Sequence, residues 1–159
     1  MAHIHEAPGQ VDTTVAAYIV YERSVLLIDH IKLKKWLPIG GHIELDEDPE
    51  QALFREVEEE SGLTPEKLEV YGSKPDVESP GTKVLYAPTF LDIHDISETH
   101  RHIGMTYLLK SSTNRIQLAE GEHNAIQWVH KDKLADPLLQ LTPAVRFYAS
   151  EAIGRMGWD

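Results

Sequence analysis

The chain has no cysteine among its 159 residues, which excludes a disulfide framework, a thiolate zinc site and a cysteine nucleophile. No apolar run is long enough to cross a bilayer, so we expect no membrane association. The polar start, MAHIHEAPGQ, lacks the apolar stretch of a secretory signal, and we expect a cytoplasmic protein. A chain of this length predicts a single domain, which we place at residues 11–159. We expect residues 1–10 to form a flexible tail.

A basic stripe is also missing from the sequence. The net charge is −11, and residues 44–60 alone hold nine acids and one arginine, whereas acids and bases are nearly balanced elsewhere. Binding to duplex nucleic acid through its phosphates requires a basic surface, so we do not expect such a partner. The acidic segment indicates instead a place that attracts cations.

Apolar and β-branched runs predict an α/β domain with several strands. The strands are expected at residues 14–21, 25–29, 33–39, 68–72, 84–93, 103–110 and 125–129. The first two should form a hairpin, and the runs at 84–93 and 103–110 should form a longer antiparallel pair. The Gly40-Gly41 pair is expected to break the third strand. A C-terminal helix is predicted over residues 143–155.

The strongest helix signal covers residues 49–61. Asp48 is the expected N-cap, Pro49 suits the first helical position, and Gln51 completes a capping box. Gly62 should end the helix in a left-handed conformation, because a residue without a side chain adopts it easily.

Three glutamates on this helix predict a metal site. Glu56, Glu59 and Glu60 stand at i, i+3 and i+4, so their carboxylates share one face. Clustered carboxylates suit hard cations such as Mg²⁺ or Mn²⁺. Glu47 precedes the helix and is within reach of the same place, while Arg55 is placed to hold a carboxylate or to contact phosphate.

A solvated acidic helix face is the alternative explanation, and most charge runs are of that kind. The spacing argues against it. Residues 41–63 read GHIELDEDPEQALFREVEEESGL and fill every position of G-x5-E-x7-R-E-U-x-E-E-x-G-U, where U is a bulky aliphatic residue. With ordinary residue usage, a chance match has a probability on the order of 10⁻⁹ per starting position.

This segment resembles the Nudix box, and the chain is similar to MutT-like members of the Nudix hydrolase superfamily. The resemblance implies an α/β/α sandwich around a mixed sheet, in which the box forms a loop–helix–loop. It also implies Mg²⁺- or Mn²⁺-dependent hydrolysis of the pyrophosphate linkage of a nucleoside diphosphate derivative: a nucleotide, a nucleotide sugar or an ADP-ribose-like compound.

The resemblance also implies roles for individual residues. Metal ligands would be Glu56, Glu59, Glu60, a later glutamate and the carbonyl of Gly40 or Gly41, while Glu47 and Arg55 would support them. Glu59, Arg55, Glu56 and the later glutamate are the residues expected to act in catalysis. Glu120 and Glu122 both fit the later position, and Glu122 is favoured slightly.

Substrate contacts are expected from aromatic and histidine residues. Trp36 and Tyr18 can stack on a base, although aromatic residues near strands more often belong to a core. His100 and His102 would share one face of a strand and reach phosphate or sugar, or lie at the surface. His42 lies within the motif, close to the expected metal. The histidines of the N-terminal tail, His3 and His5, are not expected to bind metal.

Two other functional classes fit the same residues. One is a catalytically silent module that senses a nucleotide, and the other is an interaction protein in which the acidic helix binds a structural cation. The intact set of acids and the absence of a recognisable DNA-binding addition favour the enzyme. The substrate and the oligomeric state stay open at this stage, with a homodimer among the states considered.

Overall fold

The structure, a computed structural model, describes residues 9–158, and the tail histidines His3 and His5 lie outside them. The described residues contain eight strands and two α-helices. In chain order the elements are β1 (Val11–Tyr21), β2 (Ser24–His30), β3 (Lys35–Leu37), β4 (Ile39–His42), α1 (Pro49–Ser61), β5 (Leu68–Val70), β6 (Phe90–Ser97), β7 (His100–Ser111), β8 (His123–His130) and α2 (Pro143–Met156). Short 3₁₀ turns lie at Pro65–Lys67, Lys131–Lys133 and Pro137–Leu139.

The strands form one mixed sheet. The β1 and β7 strands are parallel and pair from Val11 opposite Arg101 to Val20 opposite Lys110. The other pairings are antiparallel: β1 with β2 and β4, β2 with β3 and β8, and β7 with β5 and β6. The central β1–β7 pair therefore joins two segments that are distant in the chain, and β4 lies against β1 from Thr14 to Ala17.

One helix packs on each face of the sheet, because alternate residues of a strand point to opposite faces. On β1, Val15, Ala17 and Ile19 face α1, where they pack with Ala52, Leu53 and Val57. From the same strand, Tyr18 and Val20 face α2, where they pack with Val145, Ala149, Ala152 and Ile153. Burial of each large aliphatic side chain stabilises such a core by about 1.5–3 kcal/mol. The expected α/β/α sandwich is confirmed.

The helix α1 begins and ends as predicted. The Asp48 carboxylate accepts the Gln51 backbone N–H at 3.0 Å, and the Gln51 side-chain oxygen accepts the Asp48 N–H at 2.8 Å. Gly62 follows with φ of 72° and its N–H donates to the Glu58 carbonyl. These caps satisfy backbone groups that the helix leaves unpaired at its ends, so the register of the acidic residues is fixed locally.

The predicted strand over residues 84–93 is partly wrong. Pairing begins at Phe90 and continues to Ser97, although the antiparallel partner is β7 as expected. Pro88 has no N–H for a strand ladder, and the Tyr86 N–H donates to the Glu50 carboxylate at 3.2 Å instead. A side-chain partner therefore replaces sheet pairing in this stretch.

The predicted break at Gly40-Gly41 is also wrong, because both glycines lie within β4 and pair with Ala16 and Val15. The break comes at Pro38, between β3 and β4. Glycine serves close packing here: a Cβ atom on Gly40 would lie 2.1 Å from the Val15 carbonyl oxygen. The strand can approach β1 so closely only without a side chain at this position.

No helix in residues 9–158 is long and apolar enough to cross a membrane.

The close approach at Gly40 generates a prediction. Gly40→Ala should destabilise the protein by about 1–3 kcal/mol or more, because the added methyl group meets backbone that cannot move freely. Gly154→Ala is the matched control, since a Cβ there meets nothing within 4 Å on an exposed turn of α2. It should stabilise by about 0.5–1 kcal/mol. Urea denaturation followed by circular dichroism measures both, and a Gly40→Ala protein as stable as wild type would contradict this account.

Candidate active site

Arg55 lies at the centre of the acidic residues and contacts several of them at once. Its Nε and one terminal nitrogen donate to the two oxygens of Glu47, at 2.5 and 3.0 Å. The other terminal nitrogen donates to Glu56 at 2.8 Å and to Glu59 at 3.3 Å. The arginine also donates to the His42 backbone carbonyl at 3.1 Å. One guanidinium group therefore ties α1 to the loop before it and to the end of β4.

The box glutamates differ sharply in exposure. Glu56 and Glu60, one helical turn apart, are each only 2% exposed, whereas the Glu59 side chain is 57% exposed. Burial raises the pKa of Glu56 to about 8; the charge of Glu60 adds to this shift and Arg55 opposes it. Burial also raises the pKa of Glu60 to about 8, while a backbone hydrogen bond from Gly40 acts in the opposite direction.

The raised pKa values of Glu56 and Glu60 bear on whether the box glutamates suit a cation. Two buried carboxyl groups side by side are costly to ionise, because each loses hydration and faces the other's charge. A hard divalent cation removes both penalties, since carboxylate oxygens are the ligands that it prefers. The set of donors in Glu56, Glu59 and Glu60 therefore fits Mg²⁺ or Mn²⁺.

Glu47 has a different environment from the box glutamates. Hydrogen bonds from Arg55 lower the pKa of Glu47, and burial opposes them less strongly. Glu47 is therefore ionised and fixes the guanidinium in place, as a bidentate pair does.

His123 contributes to the site, and the sequence reasoning missed it. Its Nε2 lies 2.9 Å from a Glu60 carboxylate oxygen, and both side chains are buried. Burial lowers the pKa of His123, so the ring is neutral, and one hydrogen bond joins its Nε2 to the Glu60 carboxyl oxygen. Glu60, Glu122 and His123 place one ligand atom each within 4.8 Å of one another. Both later glutamates are exposed, but Glu122 lies beside a box glutamate and Glu120 is outside this group.

A cavity of about 500 Å³ lies on the opposite side of β4 from the carboxylates on α1. Its wall includes Gly40, Gly41, Tyr18, Tyr148 and Leu37. The volume is within the range of about 300–1,000 Å³ that is common for small-molecule sites. The two glycines thus separate the cavity from the carboxylates, and Gly40 contacts Glu60 through its backbone.

The predicted substrate residues fall in different places. Tyr18 is buried against Tyr148 in an edge contact and also lines the cavity. Trp36 packs, half-buried, against the core on the α2 side, and among the described residues its neighbours Lys35 and Leu37, rather than Trp36 itself, line the cavity. His42 and His102 line the cavity wall.

The three predicted histidines form a cluster with a buried carboxylate, Asp12. The His102 Nε2 lies 3.2 Å from that of His42 and 2.9 Å from that of His100. The Asp12 carboxylate lies 3.2 Å from the His42 ring and 3.1 Å from the His100 ring. Burial lowers the pKa of His102 to about 4, and the charges of the neighbouring histidines add to the shift.

Comparison with known proteins gives consistent matches. The family model described as NUDIX domain matches residues 11–149. A solved hydrolase of the NUDIX family from Clostridium perfringens is 32% identical, with a TM-score of 0.79, and the match covers 90% of this chain and 96% of that chain. A search of curated proteins found no match.

More distant solved structures share the fold alone. The C. elegans Ap4A hydrolase in a binary complex is 19% identical, with a TM-score of 0.61, over 90% of this chain and 98% of that chain. The E. coli dihydroneopterin triphosphate pyrophosphohydrolase is 19% identical, with a TM-score of 0.63, over 89% of this chain and 92% of that chain.

The contacts of Arg55 predict its importance for stability. Arg55→Ala leaves the carboxylates of Glu47 and Glu56 without this donor, so the free energy of unfolding should fall by about 2–3 kcal/mol. Arg115→Ala, an exposed change of the same kind, should alter it by less than about 0.5 kcal/mol. Chemical denaturation without added metal measures both. Equal stabilities of the two variants would show that the arginine contacts contribute little.

Proposed function

Because the chain belongs to the NUDIX hydrolase family, we propose that it hydrolyses the pyrophosphate linkage of a nucleoside diphosphate derivative. Mg²⁺ is the proposed cofactor, and Mn²⁺ is expected to substitute for it. The reaction class is that named for the E. coli neighbour, a pyrophosphohydrolase. The partner is thus a small phosphorylated molecule.

The position of β4 is the observation that carries this proposal. The cavity lies on one side of the Gly40-Gly41 pair, and the backbone of Gly40 reaches Glu60 on the other. A substrate in the cavity would therefore bring its phosphates to β4, the strand whose backbone also contacts Glu60.

The proposed cation ligands are carboxylates from two parts of the chain and one backbone group. They are Glu56, Glu59, Glu60, Glu122 and the Gly40 carbonyl. When bound, the cation neutralises charge on the diphosphate and lowers the pKa of a water molecule.

The surrounding residues hold this ligand set in place. Arg55 fixes Glu56 and Glu59, and Glu47 fixes Arg55 from the opposite edge of the guanidinium. The His123 Nε2 lies 2.9 Å from one oxygen of Glu60 and holds that carboxyl group in place. Such supporting hydrogen bonds orient metal ligands before the metal arrives.

Glu59 is the proposed acceptor of the proton that the attacking water loses. Its carboxylate is exposed, and its 3.3 Å contact with Arg55 is the longest that the guanidinium makes. The Glu59 carboxylate is therefore the one of the three box glutamates that solvent reaches most easily. A positioned base of this kind contributes about 10²–10⁴-fold to a rate.

A substrate panel tests the function directly. Nucleoside triphosphates, dinucleoside polyphosphates, nucleotide sugars and ADP-ribose are incubated with the protein and Mg²⁺ or Mn²⁺, and products are separated by chromatography. We expect cleavage between phosphates of at least one compound, abolished by chelation. Tight nucleotide binding in calorimetry with no cleavage of any compound would instead establish a silent nucleotide sensor.

Neighbouring glutamates on α1 allow a matched test of the catalytic role. Glu59→Gln should lower kcat by at least about 100-fold, because it removes the proposed proton acceptor. Glu58→Gln removes the same charge from an adjacent exposed position and should leave kcat within about 3-fold of wild type. Steady-state kinetics at saturating Mg²⁺ measures both. Equal losses would mean that helix charge, rather than one carboxylate, governs the rate.

The two later glutamates allow a second matched test. Glu122→Gln should raise the Mg²⁺ concentration needed for half-maximal rate by about 10-fold or more, because Glu122 lies beside Glu60. Glu120→Gln should leave the Mg²⁺ concentration for half-maximal rate unchanged. A metal titration of the rate distinguishes them, and the opposite ranking would assign the ligand to Glu120.

A further inference from the structure

The cluster of Asp12, His42, His100 and His102 is built by three neighbouring strands. Asp12 lies opposite His102 in the parallel β1–β7 ladder, and His100 is two residues earlier on β7. His42 lies opposite Thr14 in the β1–β4 ladder. Residues two apart on a strand share a face, so the sheet register places all four side chains on one face at one end of the sheet.

The four side chains converge on a single point. Each offers one ligand atom, three imidazole Nε2 atoms and one carboxylate oxygen, and these atoms all lie within 4.8 Å of one another. Four of their separations are 2.9, 3.1, 3.2 and 3.2 Å. In a tetrahedral zinc site with metal–ligand distances of about 2.0–2.2 Å, neighbouring ligand atoms lie about 3.3–3.6 Å apart. The four separations are a few tenths of an ångström shorter than the edges of such a tetrahedron.

Three ring nitrogens and one carboxylate oxygen cannot make all four of these close contacts as separate two-centre hydrogen bonds. A ring nitrogen either carries one proton or offers one lone pair. If the His102 Nε2 accepts hydrogen bonds, the single Nε2 proton of His42 must be shared between His102 and Asp12. The same holds for the Nε2 proton of His100. If the His102 Nε2 donates, one proton must serve both neighbouring rings. A cation at the centre accepts all four lone pairs at once.

We propose that Asp12, His42, His100 and His102 bind a transition-metal ion of the Zn²⁺ class at a site separate from the box carboxylates. Three imidazoles and one carboxylate suit Zn²⁺, whereas Mg²⁺ prefers oxygen ligands and retains its waters. Asp12 is fully buried and the His42 side chain is 8% exposed, so the ligands are held in place by the sheet.

Four protein ligands complete a tetrahedral shell, and a site of that kind is structural. A metal ion held by the four side chains would link the beginnings of β1 and β7 to the last residue of β4. His42 also offers its backbone carbonyl to Arg55. The ion would thereby fix the strand end that the central arginine of the catalytic site holds.

Metal binding to the full chain without an affinity tag tests the proposal. Chelator-treated protein is titrated with Zn²⁺ by calorimetry, and metal content is measured after dialysis. We expect one ion per chain, unaffected by excess Mg²⁺, and a rise in Tm of roughly 5–10 °C when free Zn²⁺ exceeds Kd about 100-fold. Co²⁺ in its place should show the visible absorption of tetrahedral coordination.

Substitutions locate the ion. His100→Gln and His102→Gln should each bind Zn²⁺ at least about 100-fold more weakly. His130→Gln, at an exposed histidine on β8, should bind like wild type. The double variant Glu56→Gln/Glu59→Gln should retain Zn²⁺ while losing Mg²⁺-dependent activity, which separates the two sites. The proposal is overturned if folded wild-type protein binds no stoichiometric Zn²⁺, or if both cluster variants bind it as wild type does. If a variant fails to fold, the wild-type titration decides.

Discussion

The guanidinium of Arg55 is the group on which the arrangement of the acidic residues depends. It contacts the loop before α1, two carboxylates on that helix and the end of β4. Without it, the carboxylates of Glu47, Glu56 and Glu59 would lose the cationic donor that they share. The cap at Asp48 fixes the residue at which α1 begins. Arg55 then holds Glu47, Glu56 and Glu59 next to one another through charge-assisted hydrogen bonds.

β4 connects two chemically distinct groups of side chains. Carboxylates suited to a hard cation lie on the α1 side, and imidazoles suited to a softer one lie at the strand's end near the cavity. The two groups would thus differ in ligand type, with imidazoles suited to Zn²⁺ in one and carboxylates suited to Mg²⁺ in the other. His42 belongs to both parts, through its ring to the cluster and through its carbonyl to Arg55.

Local sequence signals predicted local structure well. The capping box and the left-handed Gly62 depend on spacing within a few residues, and the structure contains both as expected. His123 and Asp12 escaped prediction because their partners are distant in the chain and are brought close only by strand register. The stretch before Phe90 was misassigned for the same reason: the distant Glu50 carboxylate replaced a strand partner for Tyr86.

The parallel ladder between β1 and β7 has a consequence for biosynthesis. A nascent chain that has emerged only as far as α1 contains the whole acidic motif but lacks the strand that covers the other edge of β1. That edge would expose unpaired backbone groups until roughly two thirds of the protein has been synthesised, a condition that favours association between chains. Pairing between such distant segments also slows folding relative to local contacts. The acidic motif is therefore synthesised well before the β7 strand that completes the sheet beside it.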